Sequence, residues 1–356
     1  MNKKLLAIAI SSALAAPMAA QAIEASVSGH VNRAIIFLDD GEASDWSNTD
    51  NIASQSRLRV VGSGDLGVGG MKVGTTMEWG FSSNVGFFAT VKGRNGNTGG
   101  GDLNPNLRHS RLWFSGSWGK VTMGHGSGAY DGTAYYADQG GSVFLAGIEN
   151  GTTTHAAGVA FRTGGGGVSA NTVGGAFGTF DGGRYDNIRY DSPKLGPLGV
   201  AIDLGDNQRW SAAATVSTKF SGAGFKAKIG YEDRDNDGGA SQWGMSAGVL
   251  FSQGTNITVA YADSETTAGA DRDNFYIKLG HRWGPNMVNS VAIDYIQTDD
   301  LAAAGAEATS WGIGFAHDIP GPKVNLYAGY RNWDLDITGA NLQDVDGFNM
   351  GARVRF

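Results

Sequence analysis

Alternating apolar and polar residues recur along this chain in segments of about ten residues, separated by stretches rich in Gly, Pro, Asn, Asp and Ser. In the final segment, Phe348 to Phe356, apolar residues alternate with Asn349, Gly351, Arg353 and Arg355. The same period of two runs through residues 71–81, 225–231, 275–280 and 324–331. This period predicts β-strands with one apolar face and one polar face.

The polar faces of these predicted strands carry charged side chains, such as Lys226, Lys228, Lys278 and Arg331. Charged groups need water, whereas the continuous apolar faces need lipid or a protein core. After the first residues, no stretch approaches the length of about 18 apolar residues that a membrane-spanning helix requires. The pattern therefore predicts an all-β fold, a transmembrane antiparallel β-barrel with lipid outside and a water-filled lumen inside.

The lengths of the connections predict the number of strands. Seven short turns alternate with eight longer polar loops, which gives about 16 strands with both chain ends on the short-turn side. A barrel of this size leaves an aqueous channel, with short periplasmic turns and long extracellular loops. The strands are predicted at residues 25–38, 54–64, 71–81, 107–116, 120–126, 185–191, 198–204, 210–220, 225–232, 242–251, 257–262, 274–282, 288–296, 309–317, 324–331 and 346–356. Arg33 interrupts the alternation of the first strand, which indicates a bulge or a register error there rather than a site.

The first 22 residues have the pattern of a secretory signal peptide. Lys3 and Lys4 precede an apolar run from Leu5 to Leu14, and Ala20-Gln21-Ala22 is a typical cleavage site. We therefore predict a cleaved signal peptide at residues 1–22 and a barrel at residues 23–356.

Composition narrows the possible functions. The formal net charge is −7, and loss of Lys3 and Lys4 with the signal peptide makes it −9, which argues against nucleic-acid binding. The chain has no cysteine, so it has neither disulfides nor thiolate metal sites. The six histidines show no paired spacing, and no metal, cofactor or catalytic residue is predicted. Ser246 matches the G-x-S-x-G pattern of hydrolases, but it lies inside a predicted strand rather than at a strand-to-helix turn.

Several segments resemble the trimeric general porins of Gram-negative outer membranes, and the likeness covers essentially all of the mature chain. The carrying segments are VSGHVNR at 27–33, SRLRVVGSGDLG at 56–67, FSGSWGKVTMG at 114–124, IRYDSP at 188–193 and the terminal Phe356. The resemblance implies a 16-stranded barrel, a homotrimer and a third loop folded into the channel. It also implies that Phe356 is an assembly signal read by the barrel-assembly machinery.

The residues themselves indicate a candidate pore constriction. The connection at 127–184 is the longest, and long loops in compact folds are usually functional. The candidate residues are the acids Asp131, Asp138 and Glu149 on this loop and the bases Arg57, Arg59, Lys72 and Arg111 on the inner faces of early strands. Acids facing bases across a channel would create a transverse field that selects hydrated solutes. The alternative is that these are solvated lumen charges with no special role.

The expected function is passive diffusion of ions and small hydrophilic solutes through an outer-membrane porin. The expected partners are outer-membrane lipid, the transported solutes, the barrel-assembly machinery and two further copies of the chain. Two alternatives stay open at this point. An outer-membrane barrel enzyme would need a nucleophile and a base that meet in space, and a surface adhesion protein would be a sandwich or solenoid.

Overall fold

The computed structural model describes residues 23–83, 88–89, 91, 105–141, 147, 156–234, 239, 241–265 and 271–356. These residues form 21 β-strands and a few short helical turns. No helix among them is long and apolar enough to cross a membrane. The strands are β1 (Glu24–Asp39), β2 (Ser44–Asp50), β3 (Ser56–Asp65), β4 (Lys72–Phe81), β5 (Phe88–Ala89), β6 (Asn106–Gly116), β7 (Gly119–Ser127), β8 (Gly158–Thr163), β9 (Val168–Thr172), β10 (Arg184–Asp191), β11 (Leu198–Gly205), β12 (Trp210–Phe220), β13 (Ala223–Asp233), β14 (Ser241–Leu250), β15 (Thr255–Glu265), β16 (Asp271–Trp283), β17 (Asn289–Asp299), β18 (Glu307–Ile319), β19 (Val324–Asp336), β20 (Leu342–Gln343) and β21 (Val345–Arg355).

One antiparallel sheet of 17 strands closes into a barrel. Successive strands pair with their neighbours, and β1 pairs with both β21 and β3, so the sheet has no free edge. Strands β2 and β3 are two parts of one crossing, interrupted at residues 51–55, which makes 16 crossings of the barrel wall among the described residues. The predicted all-β fold and strand number are confirmed.

The barrel exposes apolar side chains outward and buries charged ones inward, which is the reverse of a soluble protein. On β16, Leu279 is 52% exposed, whereas its neighbour Lys278 is 0% exposed. Ile229 on β13 and Leu326 on β19 are exposed in the same way. Lipid on the outer face and polar contacts inside account for this arrangement, because exposed apolar surface of this extent is unfavourable in water.

The short turns at one end of the barrel follow local rules. Ser221 and Gly222 join β12 to β13, and both have positive φ, at 47° and 81°. This is the conformation of a two-residue type I′ turn, whose twist matches that of the flanking strands. The Ser-Gly pair is therefore suited to the tightest connection between two strands.

The last residue completes the seam of the barrel. The amide of Gly29 on β1 donates to the carbonyl oxygen of Phe356 at 3.1 Å, and the amide of Phe356 donates to the carbonyl oxygen of Gly29 at 3.0 Å. The ring of Phe356 lies over Gly29, so close that a Cβ added to Gly29 would be 2.7 Å from it. The close pairing of β1 with the end of the chain therefore requires a glycine at position 29, beneath the ring of Phe356.

Three local predictions were wrong. Residues 44–50 form β2 instead of a loop, and Trp46 on β2 pairs with Phe37 on β1. The pairing of β1 with β21 runs without a bulge at Arg33, because the irregularity lies in the partner at 51–55. Residues 127–184, predicted as one long loop, contain β8, β9 and a short helix, Val173–Ala176. The predicted signal peptide, residues 1–22, lies outside the described residues.

Candidate pore constriction

Residues 128–141, which we call the loop belt, begin the long connection between β7 and β10 and run along the inner wall of the barrel. Several of their hydrogen-bond partners lie on four consecutive strands, β11 to β14. The bonds join Ala129 N to Asp203, Tyr130 N to Ser211, Lys228 to the carbonyl oxygens of Tyr130 and Asp131, Ser246 to the carbonyl oxygen of Thr133, and Gln139 to the carbonyl oxygens of Gly224 and Gly248. The prediction that the third loop folds into the lumen is confirmed.

An ion pair fixes the far end of the loop belt. Nζ of Lys278 on β16 lies 2.9 Å from Oδ2 of Asp138, and both side chains are buried. Beside it, Arg282 donates to the carbonyl oxygen of Gln139 at 3.4 Å. Asp138 therefore holds the loop belt against β16, and its carboxylate is neutralised by Lys278.

The opposite wall carries a cluster of arginines around one acid. Glu78 on β4 is fully buried, and it pairs with Arg59, with Arg108 at 2.7 Å and with Arg57 at 3.5 Å. Arg59 keeps 44% of its side chain exposed to the lumen. Three guanidinium groups thus surround a single carboxylate, which leaves this wall with a net positive charge.

The positive wall continues onto β6 and β10. Arg111 shares the inward face of β6 and interacts electrostatically with Arg59 and Arg189. Arg189 pairs with Asp191 at 2.7 Å and also donates to the carbonyl oxygen of Gly128 at 2.7 Å. Through Arg189 the arginine wall contacts the start of the loop belt.

Asp131 is the belt acid that faces this wall. It interacts electrostatically with Arg184, Arg189 and Lys228, and its carboxylate accepts a hydrogen bond from Ser127. Asp181, further along the same connection, accepts from the amides of Gly132 and Thr133 at 2.9 and 2.8 Å. Burial raises the pKa of Asp131, and it raises the pKa of Asp181 to about 8.

The structure brings together only some of the predicted constriction residues. Arg57, Arg59 and Arg111 lie on one wall, and Asp131 approaches it through Arg189. Asp138 is held at β16. Lys72 lies at the turn end of β4, opposite Asp65 and Ser115, six residues or about 20 Å along the strand from Glu78. Glu149 lies outside the described residues.

Sequence reasoning missed four basic residues that shape this site: Arg108, Arg189, Lys228 and Lys278. Lys228 and Lys278 were predicted to face inward, but nothing local indicated that they would bind the loop belt. Arg108 was missed because the pairing of β4 with β6 shifts register at Glu78 and Trp79, which turns an additional residue toward the lumen. Arg189 alternates with Ile188 and Tyr190 on β10, and this alternation could have identified it as a residue that faces the lumen.

The second part of the long connection fills part of the extracellular half of the barrel. Val159 and Phe161 pack against Ile36, Leu38 and Trp333 of the wall. Arg162 pairs with Asp40 at 3.0 Å in the same region. Open space remains toward the short-turn end, where a cavity of about 700 Å³ is lined by residues from β1, β3 and the turns that flank β17 and β18, together with Arg355 and Phe356.

Comparison of the sequence with protein families links this barrel to a known function. The model of the Gram-negative porin family matches residues 6–338. The chain belongs to the Gram-negative porin family. This porin accordingly lies in the outer membrane and forms a water-filled channel for the passive diffusion of ions and small hydrophilic solutes. No curated protein matches the porin in sequence.

Solved structures share the architecture of this porin at low sequence identity. The anion-selective porin of Comamonas acidovorans is 16% identical, with a TM-score of 0.63 over 94% of this chain and 100% of that chain. OmpT of Vibrio cholerae in its trimer form is 15% identical, with a TM-score of 0.60 over 94% and 100%. A mutant of the Rh. blastica porin is 13% identical, with a TM-score of 0.60 over 94% and 100%. The barrel is therefore common to these proteins, and an adhesion sandwich or solenoid is excluded.

Replacing Lys278 with methionine is expected to detach the end of the loop belt from the wall. The substitution would leave the carboxylate of Asp138 buried without its ammonium partner, at a cost of about 3–5 kcal/mol. We expect unheated porin to lose its compact migration in detergent gels at a lower temperature, and single channels to show noisier current.

Two further variants test this interpretation of Lys278. Adding Asp138→Asn should restore much of the lost heat resistance, because it removes the buried charge. Lys219→Met serves as the control, since Lys219 lies on the inward face of β12 near its turn end. Equal loss of heat resistance in Lys219→Met and Lys278→Met would contradict the anchoring role.

Proposed function

We propose that this porin prefers anions and that its selectivity arises between the arginine wall and the loop belt. The observation that carries the proposal is the pairing of six acids that are directed into the barrel. Among the described residues, Asp40, Glu78, Asp138, Asp191, Glu232 and Asp294 are all directed inward and all form ion pairs with Arg or Lys. Their negative charge is therefore largely cancelled where a permeating ion would pass.

Basic groups dominate the open space that remains. The described lining of the 700 Å³ cavity includes Arg57, Arg59, Lys323 and Arg355, but only one acid, Asp318. A lumen with this surplus of positive charge raises the local concentration of anions and lowers that of cations. The structural neighbour from Comamonas acidovorans is described as anion-selective, which agrees with the proposal.

The reversal potential across a KCl gradient tests the proposal directly. In a planar bilayer that contains the purified porin, we expect the reversal potential to have the same sign as the equilibrium potential of chloride. A reversal potential of the opposite sign would refute anion preference and leave the channel function itself intact.

We also propose that the porin assembles as a homotrimer through the outer face around β1 and β2. On this face Arg33 pairs with Asp50 at 2.8 Å and donates to Asn48 and Ser83. A charged group facing lipid near the middle of the bilayer costs about 2–4 kcal/mol, so a second copy is a better neighbour for this cluster than acyl chains. OmpT of Vibrio cholerae, which shares the fold, is described in a trimer form.

The trimer predicts the pattern of single-channel closure. Because each barrel conducts independently, the purified porin should insert as one unit and close in three equal current steps under high voltage. Recordings are to be made at low protein density, so that independent insertions do not mimic the pattern. Units that consistently close in a single step would argue for a monomer.

We infer that the porin performs no catalysis. Ser246, the serine of the hydrolase-like pattern, is buried and donates its hydroxyl to the carbonyl oxygen of Thr133 at 2.6 Å. Its function in the fold is thus to hold the loop belt, and a nucleophile would need a base in that position. Hydrolysis of ester or peptide substrates by the purified porin, lost in Ser246→Ala, would contradict this inference.

A further inference from the structure

A small hollow beneath the loop belt lies apart from the large cavity. Its volume is about 180 Å³, and it is set into the inner wall of β10 to β13, between Ala129 of the belt and the turn that contains Ser192 and Lys194. The hollow exists because the wall carries small residues there, namely Gly199, Ala201 and Ala213. An ion that has passed the loop belt would meet it on the short-turn side.

Two ammonium groups are directed toward this hollow. Lys228 is only 6% exposed, and its Nζ donates to the carbonyl oxygens of Tyr130 at 3.3 Å and Asp131 at 2.7 Å. An ammonium group has three N–H donors, so these two bonds leave one for a ligand. Nζ of Lys194 lies across the hollow over Gly199, 3.7 Å from the position that a Cβ on Gly199 would take.

The acids near the hollow are engaged with other partners. Asp191 pairs with Arg189 at 2.7 Å, so these two charges cancel each other. Asp181 accepts from two amides of the loop belt, and Asp131 accepts from Ser127. Asp181, Asp131 and Asp191 all interact electrostatically with Lys228, so the attraction of the hollow for an anion depends on Lys194 as well as on Lys228.

We propose that this hollow is a binding subsite for a small multivalent oxyanion such as hydrogen phosphate. Its two ammonium groups approach from different sides, which suits a polyatomic ion with several acceptor oxygens better than a spherical halide. The small residues of the wall provide the space, and the buried Lys228 is held in place by the belt. The proposal rests on the proposed function, because the ligand reaches the hollow through an anion-preferring channel.

Block of chloride current by phosphate tests the subsite. Single-channel conductance in KCl is measured at neutral pH while hydrogen phosphate is added on the side of the short turns. In the unmodified porin we expect the chloride conductance to fall with phosphate and to saturate. Lys194→Gln should raise the half-blocking concentration about tenfold, because it removes one charge-assisted hydrogen bond.

Two further variants separate the subsite from a general effect of charge. Ala213→Leu fills the hollow without changing charge, and it too should raise the half-blocking concentration about tenfold. Lys219→Gln removes a positive charge on the same inward face of β12, outside the hollow, and should change the half-blocking concentration by no more than about twofold.

The outcomes distinguish the subsite from the proposed function. If phosphate does not reduce the chloride conductance to a saturating level, in channels whose reversal potential shows anion preference, the subsite alone would be overturned. An equal shift in Lys219→Gln and Lys194→Gln would overturn it as well, because the field of the lumen would then explain the block. A reversal potential that shows cation preference would instead refute the proposed selectivity.

Discussion

Replacing Arg57, Arg59 and Arg111 together with glutamine is expected to shift the chloride-to-potassium permeability ratio toward potassium by on the order of tenfold. A unit charge roughly 16 Å from a permeating ion contributes about 0.25 kcal/mol at the dielectric constant of water, with opposite signs for chloride and potassium, so the loss of three charges changes the difference between the two ions by about 1.5 kcal/mol. The measurement is the reversal potential across a KCl gradient, made at low salt, where screening is weakest.

The design keeps the fold intact. Glu78 is fully buried, and Arg108 remains at 2.7 Å to neutralise it after Arg57 and Arg59 are changed. Lys72→Gln is the matched control, because Lys72 also faces inward but lies at the turn end of β4. An unchanged reversal potential in the triple variant would remove these arginines from the constriction. An equally large shift in Lys72→Gln would show that position along the pore is unimportant.

Alanine at Gly29 is expected to lower the yield of assembled porin severalfold, as is deletion of Phe356. A Cβ at Gly29 would lie 2.7 Å from the ring of Phe356 and closer still to the carbonyl oxygen of Arg57. The backbone there is paired on both sides and cannot move away easily, so we expect strain of about 1–3 kcal/mol at the seam. The measurement is the fraction of heat-modifiable porin in outer-membrane preparations.

Gly62→Ala is the control for the seam. Gly62 lies on β3, where a Cβ would meet only the side-chain tips of Ile23 and Thr75, at 3.2 and 3.3 Å. These tips can move, so assembly of this variant should be close to normal. Normal assembly after deletion of Phe356 would show that the terminal ring is dispensable, and the prediction that it is an assembly signal would then fail.

Much of the barrel could be predicted because each strand carries its own signal. Lys226 and Lys228 alternate with Ile229 and Tyr231 in the sequence, and the structure places the two pairs on opposite faces of β13. A strand that separates lipid from water must alternate at every position, so face and approximate bounds follow from local sequence. The wrong predictions fall where a partner strand determines the outcome, as at Arg33, whose neighbour at 51–55 carries the irregularity.

The candidate constriction could be predicted only in part. The positive wall follows from alternation, because Arg57, Arg59 and Arg111 are each directed inward by their own strands. The path of the loop belt does not follow, since Asp138 and Lys278 are 140 residues apart and no local pattern links them. Arg108 faces the lumen because of a register shift between two strands, which neither strand encodes alone.

The sequence by itself determined that this protein is an outer-membrane barrel with a polar lumen, because period-two alternation and short turns are properties of single segments. Only the tertiary structure decided which charges remain available to a solute. Pairing brings together residues far apart in the chain, and it cancels the acids at Asp138, Glu78 and Asp294 while leaving basic groups exposed in the lumen. Net charge along the chain is negative, yet the surface lining the remaining cavity is positive, because ion pairing depends on distance in space rather than on position in the sequence.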